Sequence, residues 1–211
     1  MVPAVWDSFT KTKEIIFDKA IELISSVGYE NMSMKMLANA VGIKTASMYN
    51  HFTSKQEILD SIYGYYCDHM FDNRPSIEES KRIIETGSRE EIFKTLTFNF
   101  VSDDPKKYKR MILTAKIVMM RIFNDRQANQ IFLEYSCVRP AAYVKELIEF
   151  GISIGRIEPF DIDTYTNFLT GMLFSMGVKA FAHPNYIISQ LDEEVRIGKM
   201  LMDIIPLRQT L

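Results

Sequence analysis

Cysteine is scarce in this chain. Cys67 and Cys137 are the two in 211 residues, and they lie too far apart to give the paired spacing of a metal centre or a disulfide framework. Two reduced, partly buried thiols suit a cytoplasmic protein. The three histidines, His51, His69 and His183, are scattered; no glycine-rich phosphate loop and no nucleophile motif occurs, so enzyme chemistry has no centre to work from. Cys67, His69 and Asp72 are neighbours in sequence but supply no complete ligand set. No metal and no cofactor is expected. Long apolar runs are missing too, since none approaches the ~18 residues that span a bilayer and the richest, Phe168 to Val178, is stopped by Lys179. No membrane partner is expected. Met1 to Thr10 shows neither a basic n-region nor an apolar h-region, so no export signal is expected. An excess of positive charge is also lacking: the formal net charge is −2, which excludes a uniformly basic nucleic-acid coat and confines any such binding to one patch.

The most telling absence is local. No carboxylate occurs between Glu30 and Glu57, although 25% of the chain is charged, and Lys35, Lys44 and Lys55 fall inside that gap. A window with cations and no acids points to a polyanion. Within it, Leu37, Ala38 and Val41 form one apolar stripe at helical period, and Ile43, Met48 and Phe52 form a second after Gly42. The spacing predicts two short amphipathic helices. Ala38 is small where the axes would cross, and Gly42 accepts the positive φ of a sharp interhelical turn. Ser33 is placed to cap the first helix and is counted among the expected DNA contacts, and Lys44 or Thr45 begins the second, whose outer face would carry Thr45, Ala46, Ser47, Tyr49, Asn50 and His51. Hydroxyls and amides suit base edges in a major groove, whereas Lys35, Lys44 and Lys55 suit phosphates. Met48 and Phe52 read as core. Taken alone, Tyr49 would also suit a half-buried aromatic with a wet hydroxyl, and His51 a cation favoured at a helix C-terminus. Lys55 opens the next helix, where its charge opposes the dipole, a mild cost that favours a phosphate partner.

Lys13 to Tyr66 resembles the tetracycline-repressor (TetR) family of bacterial transcription regulators. The resemblance rests on Ile16, Ala20, Leu23 and Gly28-Tyr29 in the first helix, on Leu37-Ala38 and Val41-Gly42-Ile43, and above all on Tyr49-Asn50-His51-Phe52 followed by Ser54-Lys55 and Ile58-Leu59. It implies that Thr45, Ala46 and Asn50 face bases, that Tyr49, His51 and Lys55 hold phosphates, and that Lys35 reaches DNA from the preceding helix. Ala46 stands where relatives often have glycine or proline, and Lys44 where a small polar residue is commoner. The resemblance therefore fixes no operator sequence.

Beyond the motif the pattern stays helical, and 47% hydrophobic residues suffice for a sizeable core. Ser54-x-x-Glu57 predicts a capping box opening a long helix towards Phe71. Further helices are expected over Ile77 to Glu85, Arg89 to Val101, Pro105 to Asn124, Arg126 to Gly151, Thr164 to Ala182 and Ser189 to Ile205, with Lys106-Lys107-Lys109-Arg110 as a solvated helix start. The expected fold is all-α: a three-helix DNA-reading head over residues 1–54, joined by a long connector helix to a helical body over 55–211 that binds effector and dimerises. Candidate effector-binding residues are Tyr63, Tyr66, Phe98, Met119, Met120, Phe123, Phe132, Tyr135, Met172 and Met176, because methionine and aromatic surface adapts to apolar ligands; each would also suit plain core. Lys116 and Arg121, within an apolar run, would suit either a ligand anion or solvent. Gly171, Phe174, Val178 and Phe181 share one helix face, and Leu191, Val195, Gly198 and Met202 another; an ordinary core would explain them as well. The resemblance implies that these two helices form an intersubunit four-helix bundle. The expected function is a homodimeric regulator on a palindromic duplex operator, a repressor released by a small apolar or aromatic effector. An effector-independent architectural DNA-binding protein is the alternative, with a hydrophobic carrier or enzyme behind it.

Overall fold

The helices begin where short polar side chains satisfy the first free N–H groups. Thr10 Oγ1 accepts from Lys13 N at 3.3 Å and opens α1 (Lys11–Val27); Ser33 Oγ accepts from Met36 N at 3.2 Å and opens α2 (Met34–Val41). Lys44 precedes α3 (Thr45–Met48) without a side-chain cap. Ser54 Oγ accepts from Glu57 N at 3.1 Å and opens α4 (Lys55–His69). Glu57 does not return to Ser54, as the capping box predicts. Its Oε2 instead accepts from Thr53 N at 2.6 Å and Thr53 Oγ1 at 2.7 Å, one residue earlier, and fastens the end of the α3–α4 turn all the same.

In this computed structural model residues 9–70, 74–97, 104–182, 200 and 203–208 are described. They continue as α5 (Ile77–Thr86), α6 (Arg89–Thr97), α7 (Pro105–Arg121), α8 (Arg126–Phe132), α9 (Arg139–Ser153) and α10 (Ile162–Ala182). An isolated antiparallel bridge, Ile157 with Leu207, is the sole β pairing among the described residues. The expected helix Arg126 to Gly151 is divided by a π-helical stretch, Leu133–Val138. Pro140, in the first turn of α9, lacks an N–H and crowds the carbonyl four residues back, so a regular α ladder cannot run through it. Gly28 and Tyr29, counted with the first helix from the resemblance, lie beyond its end: Gly28 is the C-cap, at φ 84°. Helix α10 starts two residues early, because Asp161 Oδ1 accepts from Thr164 N at 3.0 Å. The last expected helix, Ser189 to Ile205, lies mostly outside the described residues.

Two compact units emerge. The first, Met1–Asp72 with Ser102–Tyr135, holds α1–α4, α7 and α8 around one core of Ile16, Phe17, Ile21, Leu37, Met48, Phe52, Ile58, Leu59, Ile62 and Ile117. The packing is cut elsewhere than at the expected residue 55, because α7 lies on both α1 and α4. The second, Asn73–Val101 with Ser136–Leu211, packs α5, α9 and α10 around Ile84, Leu147, Ile148, Ile157, Tyr165 and Leu169.

The lysine-rich start of α7 is not simply solvated. Arg110, 8% exposed, donates from Nε and Nη2 to Asp18 at 2.6 and 3.0 Å and lies 3.6 Å from Glu14. Lys106 pairs with Asp18 and Lys109 with Glu22. Glu14, Asp18 and Glu22 recur every four residues, so they form one acidic stripe along α1. The two helices are clasped by opposite charge as well as by apolar packing.

Candidate nucleic-acid interface

Gly42 builds the turn of the motif. At φ 80° and ψ 29° it occupies the left-handed region, its N–H donates to the Ala38 carbonyl at 2.9 Å, and Ile43 N reaches the same carbonyl at 3.0 Å. These bonds close α2 in a Schellman arrangement and redirect the chain into α3. Leu37, Ala38, Met48 and Phe52 are all fully buried, as the two stripes predict. Helix α3 is shorter than the sequence suggests. Past Met48 the chain tightens into turns, with Asn50 N on Ser47 O at 3.3 Å and His51 N on Met48 O at 2.9 Å, and so carries the outer face on to His51.

That outer face is unspent. Lys35, Lys44, Ala46, Ser47, Tyr49 and Asn50 are exposed, and Thr45 and His51 half-buried; Tyr49 keeps 48% of its surface. Among the described residues none of the polar ones has a side-chain hydrogen bond or ion pair. Ser33 is committed to its cap. No acidic residue stands in the first turn of α2 or α3, and among the described residues no carboxylate pairs with Lys35 or Lys44. Lys55 is half-buried and held: its Nζ donates to the Glu30 carbonyl at 3.2 Å and lies 4.2 Å from the centre of the Tyr29 ring. Sequence reasoning placed Lys55 at a phosphate but missed these supports. Gly28, a glycine just past α1, marks the turn that carries them.

Arg121 is consumed internally, contrary to both expected roles. Its Nη1 meets Glu30 Oε1 at 3.1 Å, Nε the Tyr63 hydroxyl at 3.0 Å and Nη2 Asp125 Oδ2 at 3.0 Å, while the Tyr63 hydroxyl donates to Asp125 Oδ2 at 2.8 Å. Burial and the hydrogen bond to Asp125 together push the Tyr63 phenol well above its ordinary range. Burial tends to raise the Asp125 carboxyl, but hydrogen bonds from Tyr63, Ala128 N, Arg121 and Gln127 N outweigh it and leave the carboxyl below its usual value.

The effector candidates fall in both units. Tyr63 and Tyr66 are buried in the first core, and Phe132 and Tyr135 pack against it. Met119 is half-buried, whereas Met120 is 48% and Phe123 89% exposed. Those two face solvent because they stand where α7 ends and turns towards α8. Met172 packs against the second core; Phe98 and the Met176 side chain lie outside the described residues. Of the self-association candidates, Gly171 is exposed with open space around its Cβ position, Phe174 is 47% exposed and Val178 37%. Phe168, one turn earlier, is 59% exposed and was not among the expected contacts. The Phe181 side chain and Leu191, Val195, Gly198 and Met202 lie outside the described residues. Among the described residues no group of three His, Cys, Asp or Glu could hold a metal ion, and no helix is long and apolar enough to cross a membrane.

Residues 16–62, from α1 into α4, match the model for bacterial regulatory proteins of the tetR family. Over that stretch the chain is similar to the tetR family. Among its relatives is IcaR of Staphylococcus aureus strain Newman, a helix-turn-helix negative transcriptional regulator of the biofilm operon icaADBC, 34% identical over 99 residues. That match takes in 47% of this chain and 50% of IcaR, so the chain spans about half the length of that relative. Among solved structures, a TetR transcription regulator from Haloarcula marismortui superposes with a TM-score of 0.65 at 16% identity, over 95% of this chain and 100% of the other. The SmeT–triclosan complex gives 0.64 at 16% identity, over 95% and 93%. At that identity the shared property is the tetR-family fold, a helix-turn-helix head with a helical body.

Proposed function

We propose that the protein is a homodimeric transcriptional repressor that binds a palindromic duplex operator and is released by a small apolar or aromatic effector. One observation carries the reading: the outer face of α2, its turn and α3 presents Lys35, Lys44, Thr45, Ser47, Tyr49, Asn50 and His51 with no partner among the described residues and no carboxylate in the motif. Unspent hydroxyls and amides next to uncompensated lysines are what groove and phosphate contacts require. The relative IcaR, a negative transcriptional regulator, supports repression over activation.

Geometry and exposed surface support a dimer. A short recognition helix reads few base pairs, and a twofold pair doubles the site with helices ~34 Å apart. Phe168, Gly171, Phe174 and Val178 give α10 an exposed apolar stripe of the kind a second copy covers. Effector control is supported by SmeT, whose fold this chain shares and which is seen with triclosan. By linkage an effector that lowers operator affinity is itself bound more weakly by the operator complex, by the same factor.

Sedimentation of the protein alone and with duplex DNA tests the stoichiometry. The expected result is a dimer that adds to one duplex as a unit; a monomer bound to an asymmetric site contradicts the reading. Native mass spectrometry of the purified protein, followed by titration of any ligand found into the DNA complex, tests release. Unchanged DNA affinity at saturating ligand leaves an effector-independent DNA-binding protein.

A further inference from the structure

The supports of Lys55 are themselves supported. Its ammonium rests on two groups of the α1–α2 turn, the Glu30 carbonyl and the Tyr29 ring. Arg121, from the far end of α7, grips both residues: its guanidinium carbon lies 4.3 Å from the Tyr29 ring centre and its Nη1 bonds the Glu30 carboxylate. The Arg121 side chain is 17% exposed and anchored from behind by Tyr63 and Asp125. The Tyr29 hydroxyl donates to Gln56 Oε1 at 3.2 Å, which fixes the ring against the first turn of α4. One aromatic ring thus carries two cations, one free to meet DNA and one locked in the body of the unit.

We propose that Arg121, acting through Tyr29 and Glu30, is a positioning residue for the phosphate contact of Lys55. The inference rests on the reading that Lys55 meets DNA. A lysine side chain loses rotamer freedom when it is fixed. Holding the ammonium beforehand removes part of that loss from the binding step. One of its three N–H donors is used on Glu30, and two remain for a phosphate. Arg121 touches no DNA in this scheme; it keeps the ring and the carbonyl where the ammonium needs them.

The test is a mutant cycle on random-sequence duplex DNA, which reports phosphate contact without knowledge of the operator. Dissociation constants are measured across a salt series for the wild type, Lys55→Ala, Arg121→Ala and the double variant. Lys55→Ala is expected to weaken binding and to lower the salt slope by about 0.9, the loss of one phosphate contact. Arg121→Ala is expected to weaken binding several-fold by itself and not at all when Lys55→Ala is already present. Tyr29→Leu should behave like Arg121→Ala, and Tyr29→Phe, which keeps the ring, like wild type. Equal weakening by Arg121→Ala with and without Lys55→Ala overturns the inference, since general loosening of the head would act regardless of Lys55. If Arg121→Ala does not fold, the same cycle with Tyr29→Leu decides. No effect of Lys55→Ala on binding overturns the Lys55 contact itself and the inference with it; a wild type that binds no duplex overturns the proposed function.

Discussion

On the proposed reading, side chains in the motif separate into those that read and those that anchor. Asn50, exposed and without a partner among the described residues, has an amide able to bond a base edge on two sides. Asn50→Ala is therefore expected to alter preference at one or two base positions by about 1–3 kcal/mol. Lys35→Ala should weaken binding to every duplex alike, and competition between operator and scrambled DNA distinguishes the two behaviours. Asp125 makes a different kind of prediction. It caps α8 through Gln127 N and Ala128 N and receives Tyr63 and Arg121, so Asp125→Asn should cost about 2–4 kcal/mol in urea unfolding at neutral pH. Its carboxyl is held below the ordinary value, so the folded state binds the proton less readily than the unfolded chain. The stabilisation is complete above the unfolded value of about 3.9 and is lost as pH falls through the depressed folded one. The gap between wild type and Asp125→Asn should stay constant above about pH 5 and narrow below about pH 4. Local signals of this kind were legible in advance at Ser33, Ser54 and Gly42, because a cap or a turn is decided by neighbours within a few residues. The Arg121 cluster was not: its partner Glu30 lies 91 residues away in sequence.

At the scale of the element, helix ends and crossings decide what the motif can present. Gly42 sits at φ 80° with open space where a Cβ would stand, so the cost of Gly42→Ala comes from the backbone alone, about 1–2 kcal/mol. Chemical denaturation checks it, and a cost near zero would mean that the turn relaxes to another conformation. The two apolar stripes foretold α2 and α3, because burial of Leu37, Ala38, Met48 and Phe52 follows helical spacing. They did not foretell where α3 ends, since the turns from Tyr49 to His51 continue the same face with tighter hydrogen bonds. The π-helical stretch was likewise hidden. Pro140 is visible in sequence, but whether a proline ends, kinks or widens a helix depends on what the flanking turns pack against. The basic start of α7 was misread for the opposite reason, as its partners Glu14, Asp18 and Glu22 were in plain view as a four-residue repeat on α1. Arg110→Ala, which leaves Asp18 with Lys106 alone, is expected to cost about 2–4 kcal/mol, checked by the same denaturation.

For the whole molecule, the sequence indicated an all-helical chain with a DNA-reading head, and the first compact unit shows that this head shares its core with α7 and α8. Charge at one end of α7 and the Arg121 cluster at the other bind it to the head. An effector signal reaching α7 would thus arrive directly at the residues that hold Lys55. Self-association is the other property at this scale. Phe174→Glu places a carboxylate in the exposed α10 stripe, and the account expects it to convert a sedimenting dimer into monomer while leaving the helical circular dichroism intact. Retention of the dimer would move the interface elsewhere. The central claim, that this face of α2 and α3 reads DNA as a symmetric pair, is tested most directly by selecting bound sequences from a random duplex pool. The account predicts a twofold-symmetric consensus with half-sites about one helical turn apart. Enrichment of no sequence, or of a single asymmetric site, would contradict it.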